Sequence, residues 1–190
     1  MTVQVRQDGA SAQGDIVGRD KNQTTHHHHY AASSPPGIVE QLLTKLQAEI
    51  EQSQEVRHTI EALAHFQTRR APDGIDGLEA KLKAANRQDE LWSALEKKEM
   101  FVKLLEKWSL YASAQEIFVF LLAKAEYDFN YLIHPKIGSA TVVEVNQLVH
   151  DIIVVPTIEQ CGTSVFTLNH SVAMGMLYWL AEQCFVRWHR

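Results

Sequence analysis

The sequence predicts a mainly α protein. A compact helical domain follows a short Gly-rich, β-like N-terminal segment, and a small β element is expected near the C-terminus. Three observations carry this reading. After Ile38, apolar residues step by threes and fours over most of the chain. Start signals of the S/T-x-x-E type stand ahead of apolar runs. The clusters "SSPPG" and "APDGIDG" cut the chain into pieces.

The bulk numbers bound the function. A chain of 190 residues with 45% hydrophobic content supports one domain with a core, plus an appendage. The net charge of -5 and pI near 6.0 argue against a dedicated nucleic-acid surface, which carries a basic excess. The longest apolar run, "IFVFLLA" from Ile117, is too short to span a bilayer. The N-terminus lacks a signal-peptide pattern. Cys161 and Cys184 show no C-x-x-C spacing, so neither a disulfide scaffold nor a zinc ribbon is expected. A cytoplasmic protein follows.

Residues 1–32 are rich in Gly, Asp, Gln, Thr and Val. Residues 33–37 form a linker whose prolines stop any preceding strand, although Pro35 also suits a first helical turn capped by Ser34. A long amphipathic helix is expected over 38–70. Val39, Leu43, Leu46, Ile50, Val56, Ile60 and Leu63 make its stripe, and Ser53 weakens the middle. Such a helix either lies on its own domain or pairs as a coiled coil.

A helical domain is expected over 72–190. Asp76 is a candidate N-cap for "LEAKLKAAN", with Glu79 at the capping-box position. Phe101, Leu104, Leu105 and Trp108 share one helical face. "SAQE" at Ser113–Glu116 reads as a capping box opening a strongly apolar helix, which Pro135 ends near His134. "TVVE" at Thr141–Glu144 repeats the signal, with Val142, Val145, Val149 and Ile152 as the buried face. Pro156 kinks that helix or starts another, and Gly162 stops it. "SVFTL" from Ser164 alternates like a strand, "HSVAMGMLYWLAEQ" reads as a helix, and "CFVRW" from Cys184 looks extended, so the two short pieces are expected to pair.

Several blocks resemble a known family. They are Asn86-Arg87 with Glu90-Leu91, Lys98-Glu99, "YASAQEIF" from Tyr111, Ile133 and Pro135, Pro156, and Gly175-Met176-Leu177-Tyr178 with Cys184 and Arg187-Trp188. Over roughly residues 75–190 they resemble the C-terminal domains of bacterial ABC-three-component conflict systems. Where that family often has a Gly or Asn turn before the Cys, this chain has Glu182-Gln183. The resemblance implies a role in assembly: an ABC ATPase with coiled-coil arms and a small middle component work with a third protein carrying this domain, in anti-phage or anti-plasmid defence. That third protein often carries a nuclease or peptidase in front. Here a "GDIVGRDKN" segment, similar to those near the N-termini of other conflict proteins, stands in that place.

Gly14, Asp15, Ile16, Val17, Gly18, Arg19 and Asp20 are the candidate self-association residues. One copy of this stretch buries too little to offset its chain entropy, so it orders only against another copy or a partner's sheet edge. A homo-oligomer is expected; the bland alternative is a disordered tail. The run His26 to His29 alternates sides in an extended chain and has no carboxylate or cysteine at ligand spacing, so no metal is assigned.

No cofactor and no catalytic residue are assigned. G-x-x-x-x-G-K-[ST], H-E-x-x-H and G-x-S-x-G are all missing from the sequence. Asp89/Glu90 and Glu96/Glu99 sit among lysines on helices and read as solvated faces. Cys184 in its apolar run reads as a buried structural thiol, and His134 and His170 as polar contacts or caps. The expected function is a non-enzymatic adaptor, sensor or assembly component. Asn86, Arg87, Asp89, Glu90, Tyr111, Gln115 and Glu116 are the candidate partner-docking residues. The alternative is a nucleic-acid-binding regulator using the basic aromatic end Arg187, Trp188, His189 and Arg190.

Overall fold

The computed structural model describes residues 36–68 and 74–190. The proposed self-association segment, the His26 to His29 run and most of the linker lie outside these residues. The described part is helical. It comprises α1 (Ile38–Glu51), α2 (Glu61–Gln67), α3 (Gly77–Ala84), α4 (Leu91–Trp108), α5 (Ala112–Asp128), α6 (Val142–Val149), α7 (Val155–Cys161) and α8 (His170–Glu182). The expected strand pair is not formed: residues 164–168 and 184–188 are turns and coil, and an isolated bridge between Ile137 and Ala140 is the only β pairing among the described residues. Both segments are anchored by side chains instead, with Phe166, Val186 and Trp188 buried in the helical core.

Two helices are buried along most of their length. In α8 every residue from Gly175 to Ala181 is buried, and α5 buries Ile117, Phe118, Leu121, Leu122 and Ala125. A helix that is apolar nearly all round belongs inside a bundle. α4 lies along α8, while α1 and α2 cover α5. Phe101 of α4 meets Phe118 edge-on at 6.2 Å and Trp179 at 5.8 Å, which joins the three central helices.

The α4–α8 contact is a backbone contact. A Cβ on Gly175 would fall 2.0 Å from the Lys97 carbonyl oxygen and 3.2 Å from Phe101 Cβ. No side chain fits there, so only glycine lets these helices approach so closely.

The expected helix over 38–70 is broken. α1 stops at Glu51, residues 52–60 follow as turn and coil, and α2 begins at Glu61. The stop is a Schellman motif: Ser53 adopts φ 53, its amide bonds the Ile50 carbonyl, and the Gln54 amide bonds the Glu49 carbonyl. Serine in the usual glycine place hides this stop from the sequence. The two pieces lie on their own domain, with Val39, Leu46, Leu63 and Phe66 buried, so the seam of a coiled coil is not continuous.

Two prolines are accommodated without ending their helices abruptly. α5 runs on through a widened π turn (Phe129–Ile133) into a 3₁₀ turn that holds Pro135. α6 runs through a second π turn (His150–Val154) into α7, which holds Pro156. Each π turn ends two residues before its proline. The missing N–H and the ring's crowding of the preceding turn explain the widening. It also moves the buried face of α6: Val145 and Val149 are buried as expected, but Ile153 and Val154 follow and Val142 is exposed.

Helix starts are capped partly from a distance. The Thr141/Glu144 capping box forms as expected. The expected box at Ser113 does not: the Ser113 amide and hydroxyl instead donate to the Glu49 carboxylate of α1, at 3.1 and 2.8 Å. Asp76 is the N-cap of α3, but its side chain makes no capping bond; Glu182 at the end of α8 accepts from the Leu78 amide at 3.0 Å.

Gly175→Ala is expected to destabilise the protein by about 3 kcal/mol or more, because the clash is with backbone. Urea unfolding followed by circular dichroism checks this, and a change below about 1 kcal/mol would contradict the close approach.

Candidate functional site

The candidate docking residues fall in two clusters at opposite ends of α4. Eighteen residues of helix separate them, roughly 27 Å at 1.5 Å per residue. The structure does not bring them into one compact patch.

The first cluster follows α3. Asn86, at φ 55, closes α3 in a second Schellman motif, with Arg87 N bonding the Leu82 carbonyl. Arg87 is then turned inward, and only 4% of it is exposed. Its guanidinium forks onto Glu90 at 2.9 and 2.7 Å, donates to Asn146 Oδ1 at 2.6 Å, and lies 4.6 Å from the Trp188 ring centroid. This is a desolvated, charge-compensated tie between the α3–α4 connection, α6 and the C-terminus. Asn86 and Asp89 remain exposed, and Glu90 is half-buried.

The second cluster opens α5. Gln115 is 1% exposed. It accepts from the Ile60 amide at 2.6 Å and donates to the His58 and Ser109 carbonyls at 3.0 and 2.7 Å. It thereby fixes the coil between α1 and α2. Tyr111 is half-buried against Trp108, with ring centroids 6.1 Å apart. Glu116 is exposed and pairs with Lys45 at 3.6 Å. Arg87 and Gln115 therefore have internal roles, which leaves Asn86, Asp89 and Glu116 at the surface with the half-buried Glu90 and Tyr111.

A stronger surface feature adjoins the first cluster. Trp92, one turn beyond Asp89, is 84% exposed. Leu95 and Met100 are exposed with it, among Glu96, Glu99 and Lys103 on the outer stripe of α4. From the sequence, Trp92 reads as a core or interface residue, since it is not interleaved with basic residues as a base-stacking set would be. What singles it out is that the inner face of α4 is already filled by Ala94, Phe101 and Leu105. Tyr127 and Tyr131 form another exposed aromatic pair, 4.7 Å between centroids, where α5 enters its π turn.

Behind that stripe lies a cleft of about 540 Å³ between α4, the α6–α7 run and α8. Glu90 faces it from the turn before α4, Ser93 and Lys97 from α4, His150 from the π turn, and His170 and Tyr178 from α8. Arg87 and Glu90 neutralise each other, whereas Lys97 makes no ion pair among the described residues. His150 and His170 stack at 5.8 Å with planes 15° apart, and Asp151 holds His150 Nδ1 at 2.8 Å. Burial, with the Glu90 carboxylate adding to it, pushes the Tyr178 phenol up to about 12. Among the described residues the cleft therefore presents one cation without an ion pair and several hydrogen-bonding groups, a lining suited to a small anion.

The remaining candidates are placed as follows. His134 Nε2 contacts the His189 carbonyl at 3.0 Å, a polar contact as expected, while His170 gains the imidazole partner just described. Cys184 is half-exposed rather than buried, because it occupies a left-handed turn at φ 67 after α8. The C-terminal aromatic is not a stacking surface: Trp188 is buried between Phe129 and Tyr178, at 5.0 and 5.8 Å, and Arg190 Nε donates to the Ile137 carbonyl at 2.7 Å. Among the described residues no group of three His, Cys, Asp or Glu is placed to hold a metal, and no helix is long and apolar enough to cross a membrane.

Fold and surface together define a mainly α domain whose polar ties are internal and whose exposed aromatics sit on helix faces. Residues 77–188, from the start of α3 to Trp188, match the family described as C-terminal domain 9 of the ABC-three component (ABC-3C) systems, and the chain belongs to that family. α1 and α2 precede the matched region. No match was found among curated proteins or among solved structures.

Proposed function

We infer that this protein is a non-enzymatic adaptor of an ABC-three-component defence system, docking to another component of that system through the outer face of α4. The family supports the setting. The single observation that carries the docking reading is Trp92: a large aromatic, 84% exposed, flanked by Leu95 and the charged Asp89 and Glu96. An aromatic anchor with a polar rim is the usual composition of an interface hot spot. The occupants we assign are the ATPase or the small middle component. Asn86 and Asp89 belong to the rim, and Tyr111 and Glu116 lie too far along α4 to share the same small contact.

Trp92→Ala is expected to leave stability within about 0.5 kcal/mol and to weaken capture of the partner components more than about tenfold. Co-expression with the ATPase and middle component of the same system, followed by affinity capture, is the test. Undiminished capture removes this face from the interface.

The N-terminal segment is assigned to self-association in the same reading. Ile16→Asp combined with Val17→Asp, in the full chain, is expected to lower the mass measured by light scattering to that of a single chain. An unchanged mass would assign assembly elsewhere.

A second reading is favoured by Lys97 alone: the cleft senses a small anion, so the protein is a sensor as well as an adaptor. Inorganic phosphate titrated into the full chain should then give saturable heat that Lys97→Gln abolishes. No heat at millimolar phosphate leaves the adaptor reading by itself.

A further inference from the structure

One buried charge serves neither the docking face nor the cleft. Lys81 of α3 has 0% exposure, which is rare for a lysine. Its ammonium donates to the Ile75 carbonyl at 3.1 Å and meets the Cys184 sulfur at 2.8 Å. The thiol in turn lies 3.5 Å from Asp76 Oδ1. The two residues are 103 positions apart in the chain, and the fold presses them together at the junction where Glu182 caps α3. A separation of 2.8 Å is ordinary for N–H···O. Sulfur is larger, so the same distance to sulfur is a forced contact.

The chemistry of the pair is specific. The Cys184 sulfur is the nucleophile, and the Lys81 ammonium is the group it meets directly. Cys184 is half-exposed, so a small oxidant reaches its sulfur, whereas Lys81 is sealed behind it. The other cysteine is an internal contrast: Cys161 is buried, and that burial pushes its thiol up to about 11, so it stays protonated and shielded. The Lys81–Cys184 distance also selects the product. Two single bonds meeting at one oxygen span about this separation, whereas a direct S–N bond is much shorter.

We propose that Lys81 and Cys184 form an oxidative modification site, at which a hydroperoxide converts the pair into a covalent lysine–oxygen–cysteine bridge. Written for hydrogen peroxide, the Cys184 sulfur first attacks one peroxide oxygen. The O–O bond breaks, the S–O bond of a sulfenic acid forms, and water leaves; sulfur is oxidised by two electrons and the peroxide reduced. A second peroxide takes two more electrons as Lys81 Nζ bonds to the sulfenic oxygen. The protons lost from nitrogen and oxygen leave in two further waters. The bridge ties the first turns of α3 to the end of α8 and holds the C-terminal segment that carries Trp188. A thiol reductant opens it by attack on sulfur, a reaction of the same class as disulfide exchange: the S–O bond breaks, the oxygen leaves on Lys81 Nζ as a hydroxylamine, and a second thiol returns Cys184 to the thiol.

The test is peroxide treatment of the full chain, followed by intact-mass measurement and tryptic mapping. The expected result is a mass gain of about 14 Da, one oxygen gained and two hydrogens lost. Tryptic cleavage after Lys81 is lost, the Lys81 and Cys184 peptides are recovered joined, and dithiothreitol separates them with Cys184 returned to the thiol and the oxygen left on Lys81. Cys161→Ser should bridge normally, which separates the product from a disulfide. Cys184→Ser, a small change at a half-exposed position, should abolish it even if substitutions at the buried Lys81 fail to fold. A gain of about 16 or 32 Da on Cys184 with Lys81 still cleavable would overturn the bridge. So would a loss of about 2 Da from a direct S–N bond, or no modification of Cys184 at all.

Discussion

The structure depends on one close approach, the crossing of α4 and α8 at Gly175 and Lys97. The backbones meet there without a side chain between them. α8 is buried from Gly175 to Ala181, so its position sets how the rest of the core packs round it. The glycine brings Phe101 within ring contact of Trp179. It also brings Lys98 to 3.5 Å from Glu182, the carboxylate that caps α3. Moving α8 outward by the width of a methyl group would open all three contacts together, because close-packed interiors transmit such shifts.

Much of this was legible in the sequence, and what was not has a common cause. The mainly helical class, the Thr141 capping box, the stop at Gly162 and the helix at His170 are local signals that held. The end of α1, the start of α5 and the cap of α3 were misread because their chemistry is either disguised or distant. Ser53, Asn86 and Cys184 each take a left-handed turn that glycine would have announced. Such a residue costs on the order of 1–2 kcal/mol unless its surroundings impose it. Glu49 and Glu182 supply caps from 64 and 104 residues away, where no window of sequence joins donor to acceptor. The two π turns sit between these cases: each precedes a proline that the sequence shows, yet periodicity continues through them with its phase shifted.

The candidate site followed the same division. Polar residues in the family blocks invite a surface reading, since a charged residue is exposed unless something compensates it. Arg87 and Gln115 are compensated in full by partners that only the fold supplies. Gln115 also extends the reach of the matched domain, because it holds the coil ahead of α2, and Ser113 does the same with α1 through Glu49. The helices outside the family region are thus bonded to residues inside it, so α1 and α2 are integral to this domain. Trp92 went the other way. Its helical position is compatible with burial, and its exposure follows only from knowing which face of α4 meets α8.

That asymmetry bears on how the protein can act on a partner. The inner face of α4 is committed to α8, its N-terminal end is tied through Arg87 to α6 and Trp188, and its C-terminal end leads into the Gln115 network. The outer stripe is therefore carried on a helix with little freedom to move. The docking face proposed above, held this way, would bind with little ordering cost, which favours recognition by a preformed surface over folding on contact. The restraint continues along the chain to the point where Lys81 meets Cys184, since α8 sets α4 and the end of α8 is held to α3 at that pair. Chemistry at Cys184 would reach the partner face through this connected set of ties, and it would do so by changing the rigidity of α4's support, without touching Trp92 itself.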